Sequence, residues 1–255
     1  MSGSRVAIGH LEVDLVTFDE ALAKIVELVE RGNGGVVFTP NVDHVVKAEH
    51  HLEFRMAYSR ADLCLADGMP IVWASRLLRS PLPEKVSGSD LVVPLVRLAA
   101  ERQWRLYLLG GAVGIAEAAG ERMTRDLGVQ VVGTDSPYVR ADGDMDHADE
   151  ILERIRSARP HVVLVALGAP KQELWSDRFR GDIRPAVAVG VGGSLDFIAG
   201  RVRRAPAWMS RSGLEWLFRL AQEPRRMWRR YLVEDLRFLT IVARTWRADH
   251  REPSP

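Results

Sequence analysis

His161-Val162-Val163-Leu164-Val165-Ala166 runs directly into Leu167-Gly168-Ala169-Pro170-Lys171-Gln172-Glu173. The first stretch is a short apolar run of strand length, the pattern of a strand buried on both faces. The second interrupts it with Gly168, then offers Pro170 to open a helix, where the first N–H needs no intrahelical partner. Lys171, Gln172 and Glu173 gather at that point. A strand that ends in a turn with polar residues on a new helix is how an open α/β sheet builds a ligand site at its carboxyl edge. The helix end favours an anion. On this segment alone, an ordinary strand-to-helix turn with solvated polar residues fits equally well.

The same alternation extends in both directions. Strands are expected at 6–8, 11–13, 36–39, 63–66, 105–109, 129–132, 161–167 and 186–191. Between them lie helical patterns at 21–29, 41–58 (in two pieces), 89–102, 115–127 and 146–158. Thr17-Phe18-Asp19-Glu20 is a capping-box sequence that opens the first of these helices. Regular alternation predicts an α/β fold with a Rossmann-like, largely parallel sheet flanked by helices. After Gly200 no further strand is evident. Helices are expected at 207–222 and 224–246, and the residues from 249 on read as a disordered tail. The predicted organisation is thus an α/β core over 1–200, a helical C-terminal appendage over 201–248, and the tail.

Composition agrees with a soluble globular chain: 255 residues, 47% hydrophobic and 27% charged. A single Cys64 excludes an intramolecular disulfide and a multi-cysteine metal site. In the run Leu63-Cys64-Leu65 it reads as a small buried hydrophobe. Met1-Ser2-Gly3-Ser4-Arg5 carries no apolar core of a signal peptide, and no apolar stretch approaches the ~20 residues of a membrane span. A cytoplasmic protein is expected, one that can sit on a membrane surface. The charge is unevenly spread. From Arg201 onward, 13 Arg, no Lys and 6 acidic residues give +7; against a total of +1, the preceding 200 residues carry −6. Four of the seven Trp (Trp208, Trp216, Trp228, Trp246) also fall in this segment. Arg mixed with Trp on amphipathic helices suits an anionic membrane surface. The aromatics are spaced for helix packing rather than base stacking, so no nucleic-acid partner is expected. A helical pair that caps the sheet with solvated Arg is the plainer alternative.

Three strand ends carry polar residues able to converge on one cleft: Thr39-Pro40-Asn41, Asp67-Gly68, and Lys171-Gln172-Glu173. Asp67 is the candidate general base, since a carboxylate at a cleft edge can accept a hydroxyl proton. An Asp-Gly turn pair is its bland alternative. Gly110-Gly111 and Gly192-Gly193 form glycine-rich turns, neither of them a complete dinucleotide or P-loop fingerprint. His44, His50 and His51 lack metal-ligand spacing and read as helix or surface residues. No Gly-x-Ser-x-Gly elbow is present, and no Asp-x-Asp pair sits at a strand end.

Taken in order, Thr39-Pro40-Asn41, Ala66-Asp67-Gly68-Met69-Pro70, Gly88-Ser89-Asp90, Leu108-Leu109-Gly110-Gly111, Gly168-Ala169-Pro170-Lys171-Gln172-Glu173, Val191-Gly192-Gly193-Ser194-Leu195-Asp196, Arg204-Ala205-Pro206 and Gly213-Leu214-Glu215-Trp216-Leu217-Phe218-Arg219 resemble the WecG/TagA/CpsF family, glycosyltransferase family 26. The resemblance implies an inverting transferase with no cofactor and no metal requirement. Its donor would be a UDP-sugar and its acceptor a sugar on a polyprenyl diphosphate at the inner membrane face. It casts Asp67 as base. Thr39, Asn41, Gly68, Gln172 and Glu173 would be pocket residues, and Gly110, Gly111, Gly192 and Gly193 the nucleotide edge. Arg219, Arg225, Arg226, Arg229 and Arg230 would lie in the part that closes the site and meets the membrane. The family commonly has Glu-Arg where this chain has Glu84-Lys85. Lys85 keeps the charge but loses the bidentate fork, so it either neutralises the leaving diphosphate as a point charge or cedes that work to an arginine. A homo-oligomer is compatible with this reading. A dinucleotide-dependent oxidoreductase and a non-catalytic membrane adaptor are the rival readings. The first lacks its glycine fingerprint, and the second has no use for Asp67 and Gln172.

Overall fold

The computed structural model describes residues 4–202 and 235–249, together with residues 209 and 218. Two short strands, β1 (Arg5–Ile8) and β2 (Leu11–Asp14), pair antiparallel as a hairpin. The chain then alternates through α1 (Phe18–Arg31), β3 (Gly35–Phe38), α2 (Val42–Ala48), α3 (Leu52–Ser59), β4 (Leu63–Cys64), α4 (Met69–Leu77) and α5 (Gly88–Glu101). It continues with β5 (Arg105–Gly110), α6 (Ile115–Leu127), β6 (Gln130–Asp135), α7 (Ala148–Ala158), β7 (Val162–Ala166), α8 (Lys171–Phe179), β8 (Val187–Gly190) and α9 (Ser194–Ile198). A last described helix, α10, spans Asp235–Asp249. Six strands form one sheet in the order β4-β3-β8-β7-β5-β6, and every pairing in it is parallel.

Side-chain alternation splits the interior into two apolar layers. Val36, Phe38, Tyr107, Leu109, Val163, Val165 and Ala188 face one layer, which also holds the hairpin and side chains of α2, α3, α7, α8 and α10. Val37, Leu106, Leu108, Val162, Leu164, Val187 and Val189 face the other, with α1, α5 and α6. Strands apolar on both faces are what a parallel sheet covered by helices on both sides requires.

Local signals act as their chemistry predicts. Thr17 caps α1: its Oγ1 accepts the Glu20 N–H at 3.2 Å, and Glu20 Oε2 accepts the Thr17 N–H at 2.7 Å. The expected helical stretch 41–58 divides into α2 and α3, with Asn41 and His51 as their N-caps. Most boundaries shift by one to three residues, and three differences have a clear cause. β4 holds only two residues: the Leu65 N–H still donates to Phe38 O and the Asp67 N–H to Pro40 O, but Pro40 has no N–H to return a bond, so the ladder is one-sided beyond Cys64. β6 extends to Asp135, as its pairing with β5 continues beyond a bulge at Leu106/Tyr107. Pro170 precedes rather than opens α8, whose first residue is Lys171.

Of the two helices expected after Gly200, the first lies outside the described residues except at Met209 and Phe218. The second is seen only in α10. The tail beyond Asp249 also lies outside. α10 packs on the hairpin and α2: Phe238, Ile241 and Val242 are buried, the Gly9 N–H donates to Thr245 Oγ1 at 3.1 Å, and Arg244 binds both oxygens of Glu49 at 2.6 and 2.7 Å. None of the described helices is long and apolar enough to cross a membrane. Because Ile241 is buried against Gly9, Ile241→Ala is expected to destabilise the protein by about 2–5 kcal/mol in urea unfolding.

Candidate active site

Parallel pairing sets the carboxyl ends of β3, β8, β7 and β4 along one edge. The register matches Val37 to Val189 and Val165 to Gly190, so the turns after β3, β7 and β8 are neighbours. Thr39 shows this contact directly: its Oγ1 donates to Gly190 O at 3.4 Å. A Cβ on Gly88, at the start of α5, would lie 3.3 Å from Thr39 Oγ1 and 3.4 Å from the Val191 backbone, so α5 begins close to both.

Asp67 follows β4 and is half-buried. Its N–H donates to Pro40 O at 2.9 Å, which pins the aspartate turn to Thr39-Pro40-Asn41. The next residue, Gly68, takes φ +119°, a backbone conformation that side-chain-bearing residues rarely adopt. The Val86 N–H donates to Ala66 O at 2.9 Å, so the segment carrying Lys85 lies beside the same turn. Lys85 Nζ pairs with Asp90 Oδ2 at 2.7 Å, and Ser87 Oγ donates to that same oxygen at 2.6 Å. The segments that carry Thr39 and Asn41, Asp67 and Gly68, and Lys85 thus lie side by side although far apart in sequence.

The Gln172 side chain reaches across to β8. Its Oε1 accepts the Gly192 N–H at 2.9 Å, and its Nε2 donates to Glu173 Oε1 at 3.1 Å. A Cβ on Gly190 would collide with the Gln172 amide, so glycine there is what lets the amide lie on the strand. The nearby glycine turns differ. A Cβ on Gly192 or Gly193 would meet nothing within 4 Å, whereas one on Gly110 would come within 2.6 Å of the Ala166 carbonyl group. Gly111 is tied to the same place, its N–H donating to Ala166 O at 2.9 Å. Gly192-Gly193 therefore border open space, and Gly110-Gly111 serve close packing of β5 on β7.

Glu173 does not line the cleft. It is fully buried behind Gln172, and its Oε1 also faces His44 Nε2 at 3.6 Å. Burial, with the Asp43 charge, pushes its carboxyl up to about 7, against its backbone hydrogen bond, Gln172 and Lys47, which pull it down. The Tyr58 hydroxyl is likewise raised by burial and by the nearby charges of Glu173, Cys64, Asp67 and Asp43. His44, expected as a helix or surface residue, lies on α2 and faces inward: only 8% of it is exposed, and it stacks on Phe54 at 5.9 Å. One signal could have marked it. Asn41-Val42-Asp43-His44 has capping-box spacing with His in the place of Glu or Gln, and His44 Nδ1 indeed accepts the Asn41 N–H at 2.9 Å. Cys64 is fully buried, its thiol pushed up to about 12 chiefly by burial, which removes it from nucleophilic chemistry. Among the described residues, no three His, Cys, Asp or Glu side chains group as a metal site. Arg219, Arg225, Arg226, Arg229 and Arg230 lie outside the described residues.

Known proteins resemble this chain over most of its length. One relative, an N-acetylglucosaminyldiphosphoundecaprenol N-acetyl-beta-D-mannosaminyltransferase of Bacillus spizizenii (strain ATCC 23059 / NRRL B-14472 / W23), is 33% identical over 221 residues, 86% of this chain and 83% of the relative. A protein of the same name from Bacillus subtilis (strain 168) is 29% identical over 236 residues, 92% of this chain and 89% of the relative. Residues 6–252 match the profile described as the glycosyl transferase WecG/TagA/CpsF family. With nearly the whole chain covered, and with the motif residues of five separate segments gathered at one sheet edge, the protein belongs to the WecG/TagA/CpsF family of glycosyl transferases.

Proposed function

We propose that this protein transfers a hexosyl group, N-acetylmannosamine or a related hexose or uronic acid, from a UDP-sugar to a sugar carried on a polyprenyl diphosphate. One observation carries the reading. The Asp67 turn is hydrogen-bonded to the Thr39-Pro40-Asn41 turn, on the edge where Gly192 and Gly193 leave space for a ligand. Family membership supplies the reaction class, and the relatives' names supply the kind of acceptor and sugar.

In this mechanism the Asp67 carboxylate takes the proton of the acceptor hydroxyl. The freed oxygen attacks the anomeric carbon as the bond to the diphosphate breaks, and UDP leaves with the electron pair. Attack opposite an α-linked leaving group gives a β-linked product, the linkage in the relatives' names. Negative charge grows on the diphosphate, and no metal ion is called upon to balance it. Lys85, already near the Asp67 turn, or an arginine of the C-terminal segment supplies the positive charge. Thr39, Asn41, Gly68 and Gln172 shape the sugar pocket, and Gly192-Gly193 admit the nucleotide.

A polyprenyl-linked acceptor requires work at the cytoplasmic membrane face. The Arg- and Trp-bearing 201–248 segment is the proposed contact, a peripheral one. Because α10 packs into the core beside Gly9, removing everything after Gly200 would damage folding as well as membrane binding. Charge substitution is therefore the cleaner test.

Asp67→Asn is expected to leave the unfolding midpoint near that of the parent and to lower transfer about 100- to 10,000-fold. Parent-like turnover by this variant would remove the assigned role. The UDP thermal midpoint shift should be kept by Asp67→Asn, since the base faces the acceptor. Replacing Arg225, Arg226, Arg229 and Arg230 together by Gln is expected to weaken sedimentation with phosphatidylglycerol vesicles, by about 1 kcal/mol for each charge that meets the surface. Unchanged partition would place the membrane contact elsewhere.

A further inference from the structure

The Gln172 amide lies between two loops in a fixed rotation. Its oxygen takes the Gly192 N–H and its nitrogen donates to Glu173. On the far side of Glu173 stands His44, with Nε2 at 3.6 Å from the same carboxylate oxygen. His44 Nδ1 is occupied by the Asn41 N–H at 2.9 Å, so the neutral ring carries its proton on Nε2, toward Glu173. Both ends of this chain of groups are backbone N–H donors, at Asn41 and at Gly192. Gln172 and His44 each accept on the outer side; on the inner side Gln172 hydrogen-bonds Glu173 Oε1 at 3.1 Å, and His44 Nε2 faces the same oxygen at 3.6 Å, an electrostatic contact just beyond hydrogen-bond length. Two such relays can meet only at a group that accepts from both, which a carboxylate does and a donor does not.

Were Glu173 absent, the Gly192 N–H alone would hold the Gln172 amide oxygen in place, and the amide nitrogen would lose its acceptor. A flipped amide would set N–H₂ against N–H, two donors face to face. The surroundings tighten this. Gly190 leaves the amide just enough room, and Ser176 Oγ donates to Gln172 O at 2.7 Å, fixing the first turn of α8. Glu173 has no solvent exposure at all, so a direct contact with substrate is not its task.

We infer that Glu173 is a positioning residue. Acting from beneath through Gln172 and His44, it holds the 191–194 turn and the 39–41 turn in fixed relation across the candidate site, and it touches no substrate itself. The functional half of this role rests on the nucleotide reading of Gly192-Gly193; the structural half rests on the geometry of the relays alone. The groups that face Glu173 are His44, Asp43 and Lys47 from α2 and Gln172 from α8. Tyr58 from α3 and Asp67 from the turn after β4 share its electrostatic neighbourhood. Its second oxygen, Oε2, has no hydrogen-bond partner among the described residues, which suits a carboxyl able to hold a proton at neutral pH.

The full chain provides the test by NMR amide exchange and by calorimetry with UDP. In Glu173→Ala the Gly192 N–H is expected to exchange at least about tenfold faster than in the parent, and UDP to bind about five- to tenfold more weakly, the worth of one well-placed hydrogen bond. Glu173→Gln, which still offers one oxygen to both relays, should restore the slow exchange. Should Glu173→Ala fail to fold, the parent protein suffices. Its Gln172 side-chain amide and Gly192 amide signals should shift together as pH crosses about 7, where Glu173 ionises. Slow Gly192 exchange in folded Glu173→Ala, or Gln172 signals indifferent to that ionisation, would overturn the positioning role while parent UDP binding stood. A parent chain that binds no UDP, with relays behaving as described, would instead overturn the nucleotide reading and the functional half with it.

Discussion

The placement of β8 between β3 and β7 is the constraint from which the site follows. Three parallel strands in fixed register end side by side, so their turns must share one edge whatever their distance in sequence. Glycine at position 190 then matters out of proportion to its size. Its missing Cβ leaves a slot on the central strand into which the Gln172 amide fits, joining the β7 turn to the β8 turn. Thr39 reaches the same residue from the other side through Gly190 O. One strand end thereby organises side chains from both neighbours.

The two apolar layers explain why chemistry is confined to this edge. Val162 to Val165 and Val187 to Val189 are buried on both faces, and an ion among them would carry a desolvation cost of several kcal/mol. Polar groups collect where the strands stop. Glu173 is the exception that shows the cost: wholly buried, it answers with a carboxyl that keeps its proton to about pH 7. Its own backbone hydrogen bond, Gln172 and Lys47 lessen that cost without removing it.

Much of this was legible from sequence. Thr39-Pro40-Asn41, Ala66-Asp67-Gly68 and Gly168 to Glu173 announced strand ends with polar followers, and all three fall on the predicted edge. The α/β class was legible because apolar runs and 3.6-residue periods alternate so regularly. What was hidden depends on contacts between distant residues. Nothing local distinguishes a His44 on the surface from one tucked against Phe54 and facing Glu173. Glu173, next in line after Gln172, reads as its equal; only the helical rotation of α8 sends one side chain toward β8 and the other into the core. Strand β4 read longer than it is because Leu65 and Ala66 are apolar, yet opposite them stands Pro40, which has no N–H to complete the ladder.

The two double-glycine turns, after β5 and after β8, differ in what surrounds them. Both follow a strand and both take left-handed backbone angles, at Gly110, Gly111 and Gly192. From sequence they are equivalent candidates for a phosphate or sugar. Their surroundings separate them. At Gly110 the missing side chain is already spoken for by the Ala166 carbonyl, so β5 and β7 can approach; at Gly192 and Gly193 the corresponding space is empty. A glycine whose vacancy is filled by its own chain is explained by packing. At Gly192 the left-handed backbone already calls for glycine, and the space beside it opens outward next to Gln172, so this turn, unlike Gly110, has room on the edge that also carries Thr39.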